Sequence, residues 1–118
     1  MPTGDRAANL QKAISAFVAA LRVFTEKDFP TQWAQTQDNL GNAYAHLLTG
    51  DRTANLQKAI AAYDAALGVY TEKDFPIDWA RIQYTLGLSY VGIADRDVAR
   101  VSPPRCSAGV PTRGKAER

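Results

Sequence analysis

Apolar residues recur along the chain at steps of three and four positions, the spacing that aligns side chains along one face of an α-helix. One such stripe occurs twice, and its members are Leu10, Ala13, Ile14, Phe17, Leu21 and Phe24, then Leu56, Ala59, Ile60, Tyr63, Leu67 and Tyr70. A second stripe follows each copy, and its members are Trp33, Leu40, Tyr44 and Leu47, then Trp79, Leu86, Tyr90 and Ile93. The pattern predicts four amphipathic helices, at about 8–27, 32–48, 54–73 and 78–94.

The four predicted helices belong to two copies of one sequence unit. Residues 4–49 align with residues 50–95 without a gap, and 27 of the 46 positions are identical. Such a period is typical of arrays in which each unit buries its apolar face against the adjacent unit. We therefore predict an all-α fold for residues 1–95, an antiparallel stack of four helices in hairpins, with a closed four-helix bundle as the alternative. The repeat stops after residue 95, and the proline-containing segment 96–118 is predicted to be a flexible basic tail.

The hexapeptide TEKDFP occurs once in each unit and ends at Pro30 and at Pro76. Proline cannot continue a helix and favours extended geometry in the residue before it. We therefore predict a turn that ends the preceding helix at this point. Thr31 or Asp78 is then expected to cap the helix that follows, because their side-chain oxygens can accept hydrogen bonds from free amides.

Two sets of residues in these stripes match a known signature. In the second helix of each unit, Leu-Gly is followed by an aromatic residue, at Leu40, Gly41 and Tyr44 and at Leu86, Gly87 and Tyr90. In the first helix, small and aromatic residues precede a proline, at Ala13, Phe17, Ala20 and Pro30 and at Ala59, Tyr63, Ala66 and Pro76. Residues 5–95 thereby resemble the tetratricopeptide repeat family, in a variant whose unit is 46 residues long instead of the usual 34 or so.

The resemblance implies a function as well as a fold. In this family the helix with the Leu-Gly pair, helix A, lines a concave face that binds a peptide or protein, so we expect a non-enzymatic interaction scaffold. The matching positions in this chain are Gln35, Asp38, Asn39, Asn42, Ala45 and His46, then Arg81, Tyr84, Thr85, Leu88 and Val91. Asn39 and Asn42 can both donate and accept hydrogen bonds, which suits an extended peptide backbone.

The helix order within this resemblance is B, A, B, A, so the first and last helices each lack one neighbour. We therefore expect the chain either to belong to a longer array or to associate with other copies through the uncovered end helices. Two alternative functions follow. One is a structural, self-assembling module without an external ligand, and the other is a fragment of a larger signalling or effector protein.

Composition and charge exclude several classes of function. With 46% hydrophobic and 22% charged residues, the chain is typical of one soluble globular domain. Residues 1–95 carry eight Lys or Arg against ten Asp or Glu, and residues 96–118 carry six against two. A short basic end of this kind is usually solvated, so nucleic acid is not an expected partner.

Membrane contact and disulfide bonding are not expected either. No apolar run approaches the roughly 18 residues that a membrane span needs. Cys106 is the single cysteine, so no disulfide can form within the chain. The sequence therefore predicts a cytoplasmic protein.

The residues that could carry catalysis are few. His46 is the single histidine, and a dyad with Cys106 would require a folded tail. The acidic residues of the two hexapeptides alternate with lysine, which indicates surface charge pairing, and these residues are Glu26, Asp28, Glu72 and Asp74. No metal-binding or phosphate-binding spacing is present. We expect no enzymatic activity, no cofactor and no metal.

Overall fold

The computed structural model describes residues 4–101 of the chain, with side chains over residues 5–95. This part contains four α-helices and no strand, which confirms the predicted all-α class. The helices are α1 (Gly4–Ala20), α2 (Pro30–His46), α3 (Arg52–Leu67) and α4 (Pro76–Val101).

Helix α4 extends beyond the predicted end at residue 94 and includes residues 96–101 of the segment expected to be a flexible tail. The predicted helix boundary at residue 94 thus falls short of the observed helix end. The sequence ADRDVARV contains neither glycine nor proline, so nothing local stops the helix before Pro103. Residues 102–118, the rest of the predicted tail, lie outside the described residues.

Helices α1 and α3 end earlier than the apolar stripes predict, at Ala20 and Leu67. Short-range hydrogen bonds close the chain into a turn just after each helix: Val23 N–H donates to the Ala20 carbonyl, and Val69 N–H donates to the Ala66 carbonyl, both over 3.0 Å. The last apolar residues of each stripe therefore lie in loops. The repeat of the sequence is thus also a repeat of the backbone.

One edge-to-face aromatic pair joins the two ends of each of these loops. The ring centroids of Phe24 and Phe29 are 5.7 Å apart, and those of Tyr70 and Phe75 are 5.2 Å apart. Such pairs contribute about 0.5–1.5 kcal/mol beyond the burial of their surface. The phenylalanine of each TEKDFP segment thereby anchors the turn.

The prolines of the two hexapeptides begin the next helices. Helix α2 starts at Pro30 with Phe29 at the N-cap position, where no side chain accepts a hydrogen bond. The capping roles predicted for Thr31 and Asp78 are therefore wrong, because both residues lie inside the first helical turn. Proline is suited to this position, since its fixed φ is helical and the missing N–H would have no helical partner.

Each helix packs chiefly against its neighbours in the sequence, in the order α1 on α2, α2 on α3 and α3 on α4. This order is that of an open stack, because a closed bundle would also pack α1 against α4. The main core lies around α3, between α2 and α4. Its most buried members are Ala34, Ala59, Tyr63, Ala66, Tyr70 and Ile82.

Equivalent residues of the two units have unequal burial. On α3, Ala59 and Tyr63 are buried, whereas their counterparts on α1, Ala13 and Phe17, are half-buried. Helix α3 lies between two neighbours, but α1 packs on α2 alone. The same sequence motif is therefore covered on two sides in the middle of the stack and on one side at its end.

A close approach between α2 and α3 depends on Gly41. A Cβ atom at this position would lie 2.6 Å from Cε1 of Tyr63, well inside van der Waals contact. At Gly87, the equivalent position of the second unit, no such atom lies within 4 Å. The ring of Tyr63 thus packs directly on the backbone of α2.

We expect Gly41→Ala to lower the free energy of unfolding by about 1–2 kcal/mol, because the clash with Tyr63 outweighs the roughly 1 kcal/mol by which alanine favours a helix. Gly87→Ala is the matched control, since its Cβ meets open space, and it should be neutral or stabilising. Urea unfolding followed by circular dichroism, with both variants at the same low concentration, measures the difference. A Gly41→Ala protein as stable as the Gly87→Ala protein would contradict the tight contact.

Candidate functional site

A groove of about 290 Å³ opens where α2, α3 and α4 meet. Each helix supplies three of its side chains, so the groove exists only in the stacked arrangement. The lining residues are Asn42, Ala45 and His46 of α2, Arg52, Leu56 and Tyr63 of α3, and Thr85, Leu88 and Ser89 of α4.

The phenol of Tyr63 connects the core to this groove. Its hydroxyl donates a hydrogen bond to Oδ1 of Asn42 over 2.6 Å. Burial raises the pKa of Tyr63 above its ordinary value, and the negative charge of Asp38 acts in the same direction. The phenol therefore stays protonated at neutral pH and orients the Asn42 amide, whose Nδ2 group can donate to a ligand.

The imidazole of His46 is oriented by the backbone of its own helix. Nδ1 lies 2.7 Å from the carbonyl oxygen of Asn42. A carbonyl can only accept, so Nδ1 carries the proton, and Nε2 of the neutral ring is an acceptor. The partner considered for a catalytic dyad, Cys106, lies outside the described residues.

Two hydroxyl groups of α4 present acceptors to the groove. Thr85 Oγ1 donates to the carbonyl of Ile82 over 3.0 Å, and Ser89 Oγ donates to the carbonyl of Thr85 over 3.1 Å. Because each hydroxyl hydrogen is used within the helix, each oxygen is left to accept. The α4 side of the groove therefore accepts, whereas the Asn42 amide on the α2 side can donate.

An ion pair connects α2 to α4 beside the groove. Nη2 of Arg81 lies 2.7 Å from Oδ2 of Asp38 and 3.3 Å from Oδ1 of Asp78. The hydrogen bond with Asp38 raises the pKa of Arg81, so the guanidinium remains charged. The Asp38 side chain is only 7% exposed, and its Oδ1 has no hydrogen-bond partner among the described residues. Arg81 is thus the counterion of a buried carboxylate.

The predicted binding residues are divided among three places in the structure. The groove brings together Asn42, Ala45, His46, Thr85 and Leu88. Four of the predicted residues are exposed but lie outside the groove, and these are Gln35, Asn39, Tyr84 and Val91. The remaining two, Asp38 and Arg81, pair with each other, and Asp38 is buried instead of facing a ligand.

The groove also contains residues that the sequence did not indicate as ligand contacts, and these are Arg52, Leu56, Tyr63 and Ser89. One signal for Tyr63 was present in the repeat. Tyr63 corresponds to Phe17 in the other unit, and its hydrogen-bond partner Asn42 corresponds to Leu88. The hydroxyl and the amide therefore occur at two positions that bond to each other, and neither group is present at the corresponding position of the other unit.

Within the described residues, no group of three or more His, Cys, Asp or Glu side chains could hold a metal ion. The acidic residues of the hexapeptides, Glu26, Asp28, Glu72 and Asp74, are exposed on the loops. None of the helices in this part of the chain has an apolar segment long enough to cross a bilayer.

We expect Arg81→Ala to lower the free energy of unfolding by about 2 kcal/mol, because Asp38 would remain buried without its counterion. The double variant Asp38→Ala/Arg81→Ala should regain part of this loss, since it removes both charges. Arg22→Ala, at an exposed loop position, is the control and should change stability little. Urea unfolding of the wild type, of Asp38→Ala and Arg81→Ala singly, of the double variant and of the control gives the free energies, and strictly additive effects of the two changes would show that the pair is not coupled.

Comparison with protein-family models, with curated proteins and with solved structures found no match to this chain. The helical stack is thus known from the structure itself. The resemblance to the tetratricopeptide repeat rests on the residues of the two units.

Proposed function

We propose that this chain is a non-enzymatic scaffold that binds a short, extended peptide segment of a partner protein in the groove between α2, α3 and α4. The observation that carries the proposal is the arrangement of polar groups on facing helices, with a donor on α2 and acceptors on α4. The resemblance to the tetratricopeptide repeat family supports the same function. Membership of that family is part of what we propose.

The polar groups of the groove suit a peptide backbone. An extended segment presents N–H and C=O groups on both of its edges. The Asn42 amide can donate to a carbonyl of the ligand, and the hydroxyl oxygens of Thr85 and Ser89 can accept from its N–H groups. Recognition would then depend on the main chain and tolerate several sequences.

The volume of the groove limits the ligand to a short segment. About 290 Å³ is at the low end of the roughly 300–1,000 Å³ found for small-molecule sites. Its apolar surface comes from Ala45, Leu56 and Leu88, so one or two small apolar side chains can be buried. We therefore expect modest affinity and selection for small aliphatic residues.

The positive charge of Arg52 favours one orientation of the bound peptide segment. Of the described residues that line the groove, Arg52 alone has a permanent charge. Its Nη1 donates to the carbonyl of Leu47 over 3.0 Å, which holds the guanidinium in place. Arginine pairs well with carboxylates. An acidic residue or a carboxyl terminus is therefore favoured at the Arg52 end, and Arg81 already balances the nearby charge of Asp38.

The composition of the groove argues against catalysis. Among the described residues, its lining contains one histidine and neither a carboxylate nor a thiol, so none of them makes a nucleophile and base pair with His46. A cytoplasmic location and membership of a larger signalling or effector protein stay predictions from the sequence.

The proposal is tested by selecting peptides from a random library on the full chain and measuring the best ones by calorimetry. Thr85→Val keeps the shape of the side chain but removes the acceptor, and Ser89→Ala removes the other. Together they should weaken binding about ten-fold or more, through the loss of two hydrogen bonds. Gln83→Ala, on an exposed face of α4, is the control and should leave binding unchanged.

Chemical-shift mapping locates the bound peptide. We expect perturbations concentrated at Asn42, Thr85 and Ser89. Equal binding by the wild type and by the Thr85→Val/Ser89→Ala protein, with both folded by circular dichroism, would contradict this function. So would a peptide that bound at Gln35 and Asn39, outside the groove.

A further inference from the structure

One face of α4 is apolar and open among the described residues. We call it the α4 face, and it consists of Ala80, Tyr84, Gly87, Leu88 and Val91. Tyr84, Leu88 and Val91 are each more than half exposed. Contiguous exposed apolar side chains of this kind usually mark an interaction site.

The α4 face has a counterpart on α2 that is already occupied. Its residues lie 46 positions earlier in the sequence, and they are Ala34, Asp38, Gly41, Asn42 and Ala45. Ala34 lies in the core with residues of α3, and Tyr63 of α3 covers Gly41 and bonds to Asn42. On α2, this face is therefore the contact surface for α3.

The described part of the chain does not return to cover the α4 face. Helix α2 ends at His46, and after a short turn the chain returns along it as α3. Helix α4 instead continues to Val101. A helix that would correspond to α3 in covering this face is therefore not found among residues 4–101.

Helix α1 has the sequence that such a helix requires. It is a copy of the first turns of α3, with GDR, ANLQKAI and three further alanines at equivalent positions. Its residues Ala13, Phe17 and Ala20 are half-buried, whereas the equivalent Ala59, Tyr63 and Ala66 are buried between α2 and α4. The residues of α1 that are less covered than their counterparts include Phe17, the equivalent of the Tyr63 that contacts α2.

We propose that α1 of a second copy of this chain docks on the α4 face, in the register in which α3 packs on α2. Phe17 of the second copy then lies over Gly87, as Tyr63 lies over Gly41. Since the two surfaces differ, the contact is head-to-tail and repeats from copy to copy as an open stack. The proposal does not depend on peptide binding, because it is argued from the α4 face and α1, which share only Leu88 with the groove between α2, α3 and α4.

The first argument for this register is that both partners of one hydrogen bond are replaced together by apolar residues. Within the chain, Tyr63 donates to Asn42. Between copies the equivalent pair is Phe17 with Leu88. A phenol facing leucine, or an amide facing phenylalanine, would leave a buried polar group without a partner. Both members have changed, so the contact remains complementary as an apolar one.

The second argument is that both partners of one ion pair are replaced together by uncharged residues. Asp38 and Arg81 bind each other within the chain. The equivalent residues between copies are Tyr84 of one copy and Gln35 of the next. Neither is charged, so docking leaves no buried charge without a counterion.

Two further features of the α4 face and α1 agree with the way α3 packs on α2. The space above Gly87 is open, as a ring at this position requires. Within the chain, Nζ of Lys58 lies 5.6 Å from the ring centroid of Tyr44. The equivalent residues, Lys12 of the second copy and the exposed Tyr90, preserve this cation–π pair between copies.

The test is sedimentation velocity and light scattering of the full chain over a wide concentration range, up to millimolar. We expect the mean mass to rise with concentration beyond that of a dimer, as an open stack requires. Gly87→Leu should raise the dissociation constant about ten-fold or more, because its side chain occupies the site of Phe17. Ile77→Thr is the control, because Ile77 is exposed and lies outside the α4 face. Its counterpart Thr31 stays exposed although α2 packs on both α1 and α3.

A double-mutant cycle tests the register. Phe17→Tyr and Leu88→Asn should each weaken association, whereas the double variant should recover because it recreates the pair formed by Tyr63 and Asn42. Circular dichroism of dilute samples confirms that each variant is folded. A monomer at every concentration, a discrete dimer, or additive effects of the two changes would each overturn the proposal.

Discussion

The packing of Tyr63 on the bare backbone of Gly41 is the contact on which the rest of this structure depends. It sets how closely α2 and α3 approach and buries the ring within the core of the stack. It also places the phenol where its hydroxyl meets Asn42. One side chain thereby determines both the spacing of the helices and the orientation of a polar group in the groove.

Polar contacts between helices then define the shape of the groove. The ion pair of Asp38 and Arg81 joins α2 to α4, and the bond between Tyr63 and Asn42 joins α3 to α2. Both involve buried partners, where an unsatisfied group costs more than at the surface. The groove residues are therefore held by interactions that also stabilise the stack, and a ligand would meet preformed donors and acceptors.

The two units show how neighbours alter the role of one sequence. Gly41 is covered by a ring, whereas Gly87 faces open space. Leu88 and Phe17 replace an amide and a phenol, so the outer surfaces are more apolar than the equivalent inner ones. If α1 of one copy covers α4 of the next, a second groove forms between copies.

Local rules explain what the sequence by itself determined: four helices, a 46-residue repeat and turns near the two prolines. These features depend on the spacing of apolar residues and on the geometry of proline, both of which act over a few positions. Only the tertiary structure decided that Asp38 is buried against Arg81 and that Tyr63 and Arg52 reach the groove. The partner of a polar side chain depends on distances between helices, and the periodicity of a single helix contains no information about them.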